Sequence, residues 1–380
     1  MNLAEFPLLS LAGLSLLIGV WQWIAGSRFR FSPIGPGAKT GAPGITLLKP
    51  LKGADSETEN CLRSWLNQDY PGQVQALFAV NSAGDPASAI VQKLQREFPE
   101  RRIELRVVSE LVGSNAKISK VHTLSLEAVF DFWVVSDADV FAPPRLLAGI
   151  KNNLEKKQVG VVNAFYQLAD PSTFGMRWEA VAINADFWTQ VLQSNSIQPM
   201  KFALGAVMAT RRDVINSIGG FKALADFLAD DYELGRRVFA AGRQIALLPL
   251  AVECREQAFG PVHAWKHQLR WAQTIRACQP IPHFLSIISN STVWPLAYFL
   301  CFPAKTSASI LVAAILLRSL TCWSSALRLT GQSRAFYLWM APLKDLLGFG
   351  IWLVSIFYNR VIWRGEIYNL LRGGRLEKNP

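Results

Sequence analysis

Residues 6–24 contain no charged side chain and run mostly through LLSLAGLSLLIGVWQWI. At about 1.5 Å of rise per residue, a helix of that length nearly crosses the roughly 30 Å of bilayer hydrocarbon. Trp21 and Trp23 fall at one rim, where aromatic side chains favour the membrane interface. The segment is therefore either a membrane helix or a signal peptide, and the order of charge separates the two. No basic residue precedes the run, whereas Arg28, Arg30 and Lys39 follow it, the reverse of a signal's basic leader. An anchor is expected, with the following chain on the cytoplasmic side.

Apolar residues make up 51% of the chain and charged ones 18%, which excludes a disordered or collagen-like polypeptide. The five cysteines are scattered without a CxxC pair, so neither a disulfide scaffold nor a zinc finger is expected. The 39 basic against 28 acidic residues point to an anionic partner: an acidic membrane face, a phosphorylated small molecule or nucleic acid. Nucleic acid is disfavoured because clustered Lys/Arg runs and a base-reading motif are both missing.

After a Pro- and Gly-rich loop at 32–43, short apolar runs at 44–48, 74–80, 103–108, 131–137 and 159–165 alternate with helical patterns at 57–68, 88–98 and 120–129. This alternation predicts an α/β domain with a mostly parallel sheet covered on both faces, whose ligands bind beyond the carboxyl ends of the strands. Hydrophobicity returns in blocks at 284–302, 307–327 and 336–358, two of which carry internal charges, Arg318 and the pair Lys344 and Asp345. Such charges are expected to face protein, water or one another. The predicted organisation is an anchor (1–27), the α/β domain (44–262), an amphipathic segment (263–283), membrane helices (284–359) and a basic tail (360–380) suited to anionic phospholipid. Three full crossings after a cytoplasmic domain would strand that tail outside, so block 284–302 is expected to lie along the interface or re-enter.

Several strand ends carry chemistry. In VVSDADV a buried run stops at Asp137 and Asp139; on an extended segment positions i and i+2 point the same way, so both carboxylates can approach one hard divalent cation. Helix solvation or capping explains the same residues. In FLADDYELGRRVF, Asp230 and Asp231 open a helix, where either can cap it, leaving the second to serve as a general base. The stretch HAWKHQLRWAQTIR places Arg270 toward a phosphate and Trp271 as an apolar wall, or simply anchors an interface. The Pro50 turn in LLKPLKG and Asp85 in NSAGDP suit a base or ribose, or merely form turns. Asn115 and Lys117 sit at a loop-to-helix junction suited to phosphate.

In this order the motifs resemble those of membrane-embedded GT-A glycosyltransferases, specifically the ceramide glucosyltransferase family (glycosyltransferase family 21) with its bacterial hopanoid-modifying relatives. The likeness covers LLKPLKG at 47–53, Asp85, Asn115 with Lys117, Asp137 with Asp139, Asp230 with Asp231, Arg270 with Trp271, and the tail WRGEIYNLLRGG at 363–374. The resemblance implies a GT-A catalytic domain that binds a UDP-sugar through Pro50, Asp85, Asn115, Lys117, Asp137 and Arg270. It further implies Mg2+ or Mn2+ on Asp137 and Asp139, Asp231 as base beside Asp230, and Arg270 with Trp271 at the diphosphate and acceptor. His267 stands where the family carries Gln or Arg, which puts that contact in doubt.

The implied reaction is an inverting transfer of one glucose or N-acetylglucosamine to a hydroxyl of a membrane lipid, such as a hopanoid polyol, ceramide or diacylglycerol. The implied setting is the cytoplasmic face of a bacterial inner membrane. A processive polysaccharide synthase shares the motif plan but needs a channel usually built from more helices. A membrane protein that binds a nucleotide or lipid without catalysis would keep the fold and dispense with the base.

Overall fold

The computed structural model describes residues 4–35, 41–363 and 366–378; Lys39 and Arg364 lie outside them. Strands β1 (Ile45–Pro50), β2 (Val74–Val80), β3 (Arg102–Val107), β4 (Phe132–Ser136), β5 (Val140–Phe141), β6 (Val159–Leu168), β7 (Val207–Arg211) and β8 (Gln244–Cys254) form one sheet in the order β3-β2-β1-β4-β7-β6-β8-β5. The five apolar runs read from the sequence are β1 to β4 and β6. β1 pairs in parallel with β2 and β4, β2 with β3, and β6 with β8, while β7 runs antiparallel between β4 and β6. Every residue of β1 is buried. Leu47, Phe78 and Val134 face one hydrophobic core, and Leu48, Leu77 and Val135 face the other. A sheet buried on both faces requires such continuous apolar runs in place of alternation.

Among the described residues, three helices are long and apolar enough to cross a membrane: Phe6–Arg28, Lys305–Thr330 and Phe336–Phe357. Block 284–302 is not a straight span. Pro280–Ser289 and Val293–Cys301 meet at a 58° bend, as in a broken span or a re-entrant loop. The first helix approaches the Trp188–Ile197 helix at Gly26, where a Cβ would lie 2.6 Å from Thr189 Cγ2, so a larger residue would have to displace that side chain or the helix.

The organisation departs from the expected one in two places. The continuous helical segment 174–197, placed in the soluble domain from its sequence, packs Trp178, Val181 and Ile183 against Cys322, Tyr337 and Met340 of the membrane helices. Its charged Glu179 and Asp186 interrupt any long apolar run, which hides it from a search for spans. Residues 360–378 form β9 (Arg360–Trp363), β10 (Glu366–Leu370) and β11 (Leu376–Lys378), an antiparallel sheet where a basic tail was expected. Leu376 N–H donates to Asp226 O at 2.7 Å and Leu228 N–H to Gly374 O at 2.9 Å, binding this sheet to the loop that precedes Asp230. Arg360, Arg372 and Arg375 remain exposed on it.

Candidate active site

The carboxyl ends of β1, β2 and β4 carry the first group of candidates. Asp85 caps the helix Pro86–Glu97 by accepting from Ala87 N–H, and both its oxygens also accept from Gly53 N–H at 3.0 and 3.1 Å. It thereby joins the NSAGDP loop to the LLKPLKG loop that follows Pro50. Lys120, buried, donates from Nζ to Leu51 O at 2.5 Å and to Asn81 Oδ1 at 2.8 Å, holding the same loop from beneath.

Asn115 caps the helix Ala116–Leu126 through Ile118 N–H, and its Nδ2 donates to Phe227 O at 2.8 Å and Asp230 Oδ1 at 3.4 Å. Lys117 Nζ lies 2.9 Å from Asp137 Oδ1 and 3.4 Å from Asp230 Oδ2. Burial alone would lower the Lys117 pKa, but Asp137 and Asp230 raise it, so the ammonium stays charged. Three separate sequence motifs meet at this one cation.

Asp230 and Asp231 occupy the first turn of the helix Asp230–Ala240, but the N-cap is Ala229, without a side-chain cap bond. Neither acid caps the helix, as either could have done from its place in the sequence. Asp230 is 5% exposed and tied to Lys117 and Asn115. Asp231 accepts from Tyr232 N–H at 2.7 Å. Burial and then the neighbouring Asp230 push its pKa up to about 6. Gly205 packs beside it: a Cβ there would lie 2.9 Å from Asp231 Oδ2.

The geometry of Asp137 and Asp139 differs from the extended pair expected. β4 stops at Ser136, and Asp139 lies in a turn before β5. Buried Lys49 donates to Asp137 O at 2.6 Å and Ser136 Oγ at 3.2 Å, and the Cys61 thiol to Asp139 O at 3.2 Å. The two side chains part company: Asp137 pairs with Lys117 while Asp139 hydrogen-bonds Glu256. Burial and then Asp137 raise Asp139 to about 7, and burial with Glu179 raises Glu256 to about 7, against the lowering pull of Arg270. Burial lowers Lys49 to about 8, opposed by Asp137 and Asp139.

Arg270 and Trp271 lie on the helix Pro261–Cys278. The Arg270 charge reaches Glu256 and so joins the same electrostatic cluster. Trp271 packs against His267 with ring centroids 4.9 Å apart and against Phe187 at 6.0 Å. His267 Nδ1 meets Glu179 Oε1, so this histidine is committed to a protein carboxylate.

Four participants escaped the sequence reading: Lys49, Tyr166, Glu179 and Glu256. Lys49 carried a signal, a lysine inside an otherwise apolar strand. Glu256 follows β8 at a strand end, and Glu179 looked like an ordinary helix acid. Tyr166 lies in β6 near Asp231 and Asp137; burial, then Cys254 and those acids, hold its pKa well above the usual phenol range.

Comparison with known proteins shows the family. The profile of glycosyl transferase family 21 matches residues 8–376. The chain belongs to this glycosyltransferase family. It is 21% identical over 349 residues to ceramide glucosyltransferase 3 of Caenorhabditis elegans, covering 88% of this chain and 74% of that protein. The ceramide glucosyltransferase of Candida albicans is 34% identical over 116 residues, 27% of this chain and 21% of the relative. Among solved structures, the mannosyltransferase PcManGT from Pyrobaculum calidifontis in complex with GDP-Man and Mn2+ superposes with a TM-score of 0.54 at 17% identity, covering 93% of this chain and 98% of that one. That likeness shows the GT-A fold. The family 21 chain is thus a sugar-transferring enzyme with membrane helices at both ends of its sheet domain.

Proposed function

We propose that this family 21 enzyme transfers one sugar, glucose or N-acetylglucosamine, from a UDP-sugar to a hydroxyl of a membrane lipid, inverting the anomeric carbon, with Asp231 as the base. The observation that carries this reading is Asp231, held at about 6 beside the Asp230–Lys117–Asp137 chain. A base of that strength is ionised at neutral pH yet retains more proton affinity than an exposed aspartate. Ceramide glucosyltransferase relatives support a lipid acceptor. A hopanoid polyol is the first candidate on the resemblance of the bacterial branch, with ceramide and diacylglycerol behind it.

Asp137 and Asp139 supply carboxylate oxygens only, a donor set for a hard cation such as Mg2+ or Mn2+. Among the described residues no group of three or more His, Cys, Asp or Glu is arranged to hold an ion. Phosphate oxygens and water would fill the remaining positions, as is usual for Mg2+ at phosphate sites. When bound there, the cation would offset charge on the departing diphosphate.

The chain's own groups divide the rest of the work. Asp85 and the Pro50 loop hold the nucleoside, and Lys117 and Arg270 face the diphosphate. The acceptor oxygen attacks the anomeric carbon as its proton passes to Asp231, and the bond to the diphosphate breaks with its electron pair leaving on UDP. Asp230 stays paired with Lys117 and keeps that site polarised. The α/β domain would face the cytoplasm of a bacterial inner membrane, with Arg360, Arg372 and Arg375 toward anionic phospholipid.

The test is to supply purified enzyme with UDP-glucose or UDP-N-acetylglucosamine and a lipid extract, then analyse the lipids by mass spectrometry. A single added hexose or N-acetylhexosamine on a lipid is the expected product. A polymer, or UDP-sugar binding without UDP release, would refute the reading.

A further inference from the structure

Residues 225–229 lead into the helix that carries Asp231 and belong to no regular element of their own. Buried backbone groups outside helices and sheets still need partners, and this loop finds them on two sides. On one side Asn115 N–H donates to Ala225 O at 2.6 Å, Ser114 N–H to Asp226 Oδ1 at 3.0 Å and Asn115 Nδ2 to Phe227 O at 2.8 Å. On the other side stands the C-terminal sheet. Leu376 N–H donates to Asp226 O, Leu228 N–H donates to Gly374 O, and Phe227 forms an antiparallel bridge with Arg375.

The side chains repeat the connection. Leu228 is buried in one cluster with Val361, Tyr368, Leu370 and Leu376 of the C-terminal strands, and Ala277 of the Arg270 helix packs against the same cluster. Buried Gln273, one turn beyond Arg270, donates to Tyr358 O at 3.0 Å and Arg360 O at 3.1 Å. Gly374 has a φ of 82°, and a Cβ there would lie 2.8 Å from Cys278 Sγ at the end of that helix, so the close approach calls for glycine. The sheet thus touches both the loop of Asp231 and the helix of Arg270. Leu228 is joined to Asp231 through a rigid first turn, in which Ala229 O accepts from Glu233 N–H at 3.0 Å.

We propose that the C-terminal sheet is a positioning element for catalysis: Leu228, packed with Leu376 and Tyr368, fixes where the Asp231 carboxylate stands relative to Arg270. The proposal rests on the reading of Asp231 as the base. Leu228 and Leu376 touch no reacting atom and act through the backbone that leads to Asp231. A base serves only within hydrogen-bond reach of the proton it takes, and a displacement of about 1 Å can cost about 10²-fold in rate.

The test uses the full chain in detergent with UDP-glucose and a lipid extract. Leu228→Ala removes the side-chain contact and keeps the backbone bonds. It is expected to lower kcat by about tenfold to 10²-fold while UDP-sugar affinity by calorimetry stays unchanged. Leu228→Met, which refills the volume, should restore turnover. Leu376→Val, a smaller truncation in the same cluster, should give the same pattern at lower amplitude, so the answer does not hang on the stability of one variant. The pH profile separates position from folding. Water admitted around a carboxyl raised by burial lowers its pKa, so the acid limb should move from about 6 toward the ordinary aspartate range in Leu228→Ala. Asp230, Lys117 and Asp137, which also act on Asp231, are left in place. A loss of folded enzyme would lower the whole profile and leave its limb where it was. In an Asp231→Asn background, with no carboxylate left to place, Leu228→Ala should cost less than about twofold more.

Wild-type kcat in both Leu228→Ala and Leu376→Val, an acid limb that stays at about 6, or a loss that multiplies in full with that of Asp231→Asn would each overturn the proposal. Normal transfer by Asp231→Asn alone would sink the base reading itself, a result that none of those three produces.

Discussion

The protein holds two clusters of buried charge, one in the sheet domain and one among the membrane helices, and they are built to opposite rules. In the membrane cluster Asp186 and Asp345 are matched by Arg318 and Lys344. In the sheet cluster Asp137, Asp139, Asp230, Asp231 and Glu256 are met by Lys49, Lys117 and Arg270. A balanced network satisfies itself. A network with surplus carboxylates holds some of its acids against their preference for ionisation, and Asp139, Asp231 and Glu256 all have raised pKa values. That surplus suits a divalent cation and a proton to be received. Removing a charge should therefore have opposite effects on stability in the two clusters.

The largest expected effect is on turnover. Asp231→Asn should lower kcat by about 10² to 10⁴-fold, the usual contribution of a positioned base, with UDP-sugar affinity retained by calorimetry. Normal transfer by this variant would remove Asp231 from the mechanism. In the balanced cluster, Arg318→Met should destabilise the protein by about 3–5 kcal/mol, because it leaves two buried carboxylates with one cation; thermal unfolding in detergent measures this. An unchanged midpoint would mean that the network carries no stability.

Gly205→Ala probes position and leaves charge untouched. A methyl 2.9 Å from Asp231 Oδ2 should displace the carboxylate and cost up to about 10²-fold in kcat, with fold and donor affinity unchanged. Wild-type turnover would mean that the site tolerates the shift.

The smallest effects are those of pH. Turnover should fall as pH drops through about 6, where Asp231 takes up a proton. The sign for stability is the reverse. A carboxylate whose folded pKa lies above its unfolded value binds more protons when folded, so stability falls as pH rises from about 4 to about 6. Asp231→Asn should accordingly raise the unfolding midpoint by a few degrees at pH 7.5 and leave it nearly unchanged at pH 4. A lowered midpoint at pH 7.5 would contradict the surplus-charge description of the sheet cluster.

Much of this enzyme was legible in the chain because local patterns report local physics. β1 announces itself as a run buried on both faces, and the first helix as an uncharged run of membrane length. Asn115, Lys117, Asp137, Asp230 and Asp231 were all singled out from where they sit along the chain. The direction taken by Asp139 was not legible, because its partner Glu256 and the Cys61 thiol on its carbonyl come from distant parts of the chain. The docking of segment 174–197 among the membrane helices was equally hidden, since its acids find their cations at Arg318 and Lys344, far along the chain.

The order of residues by itself determined the GT-A sheet, the membrane helices and the family, since hydrophobic period and motif spacing depend only on near neighbours. Tertiary structure alone decided which acids share Lys117, which carboxyl is pushed up to about 6, and that the membrane charges cancel. A charge's energy depends on distance and burial, and neither can be read from separation along the chain.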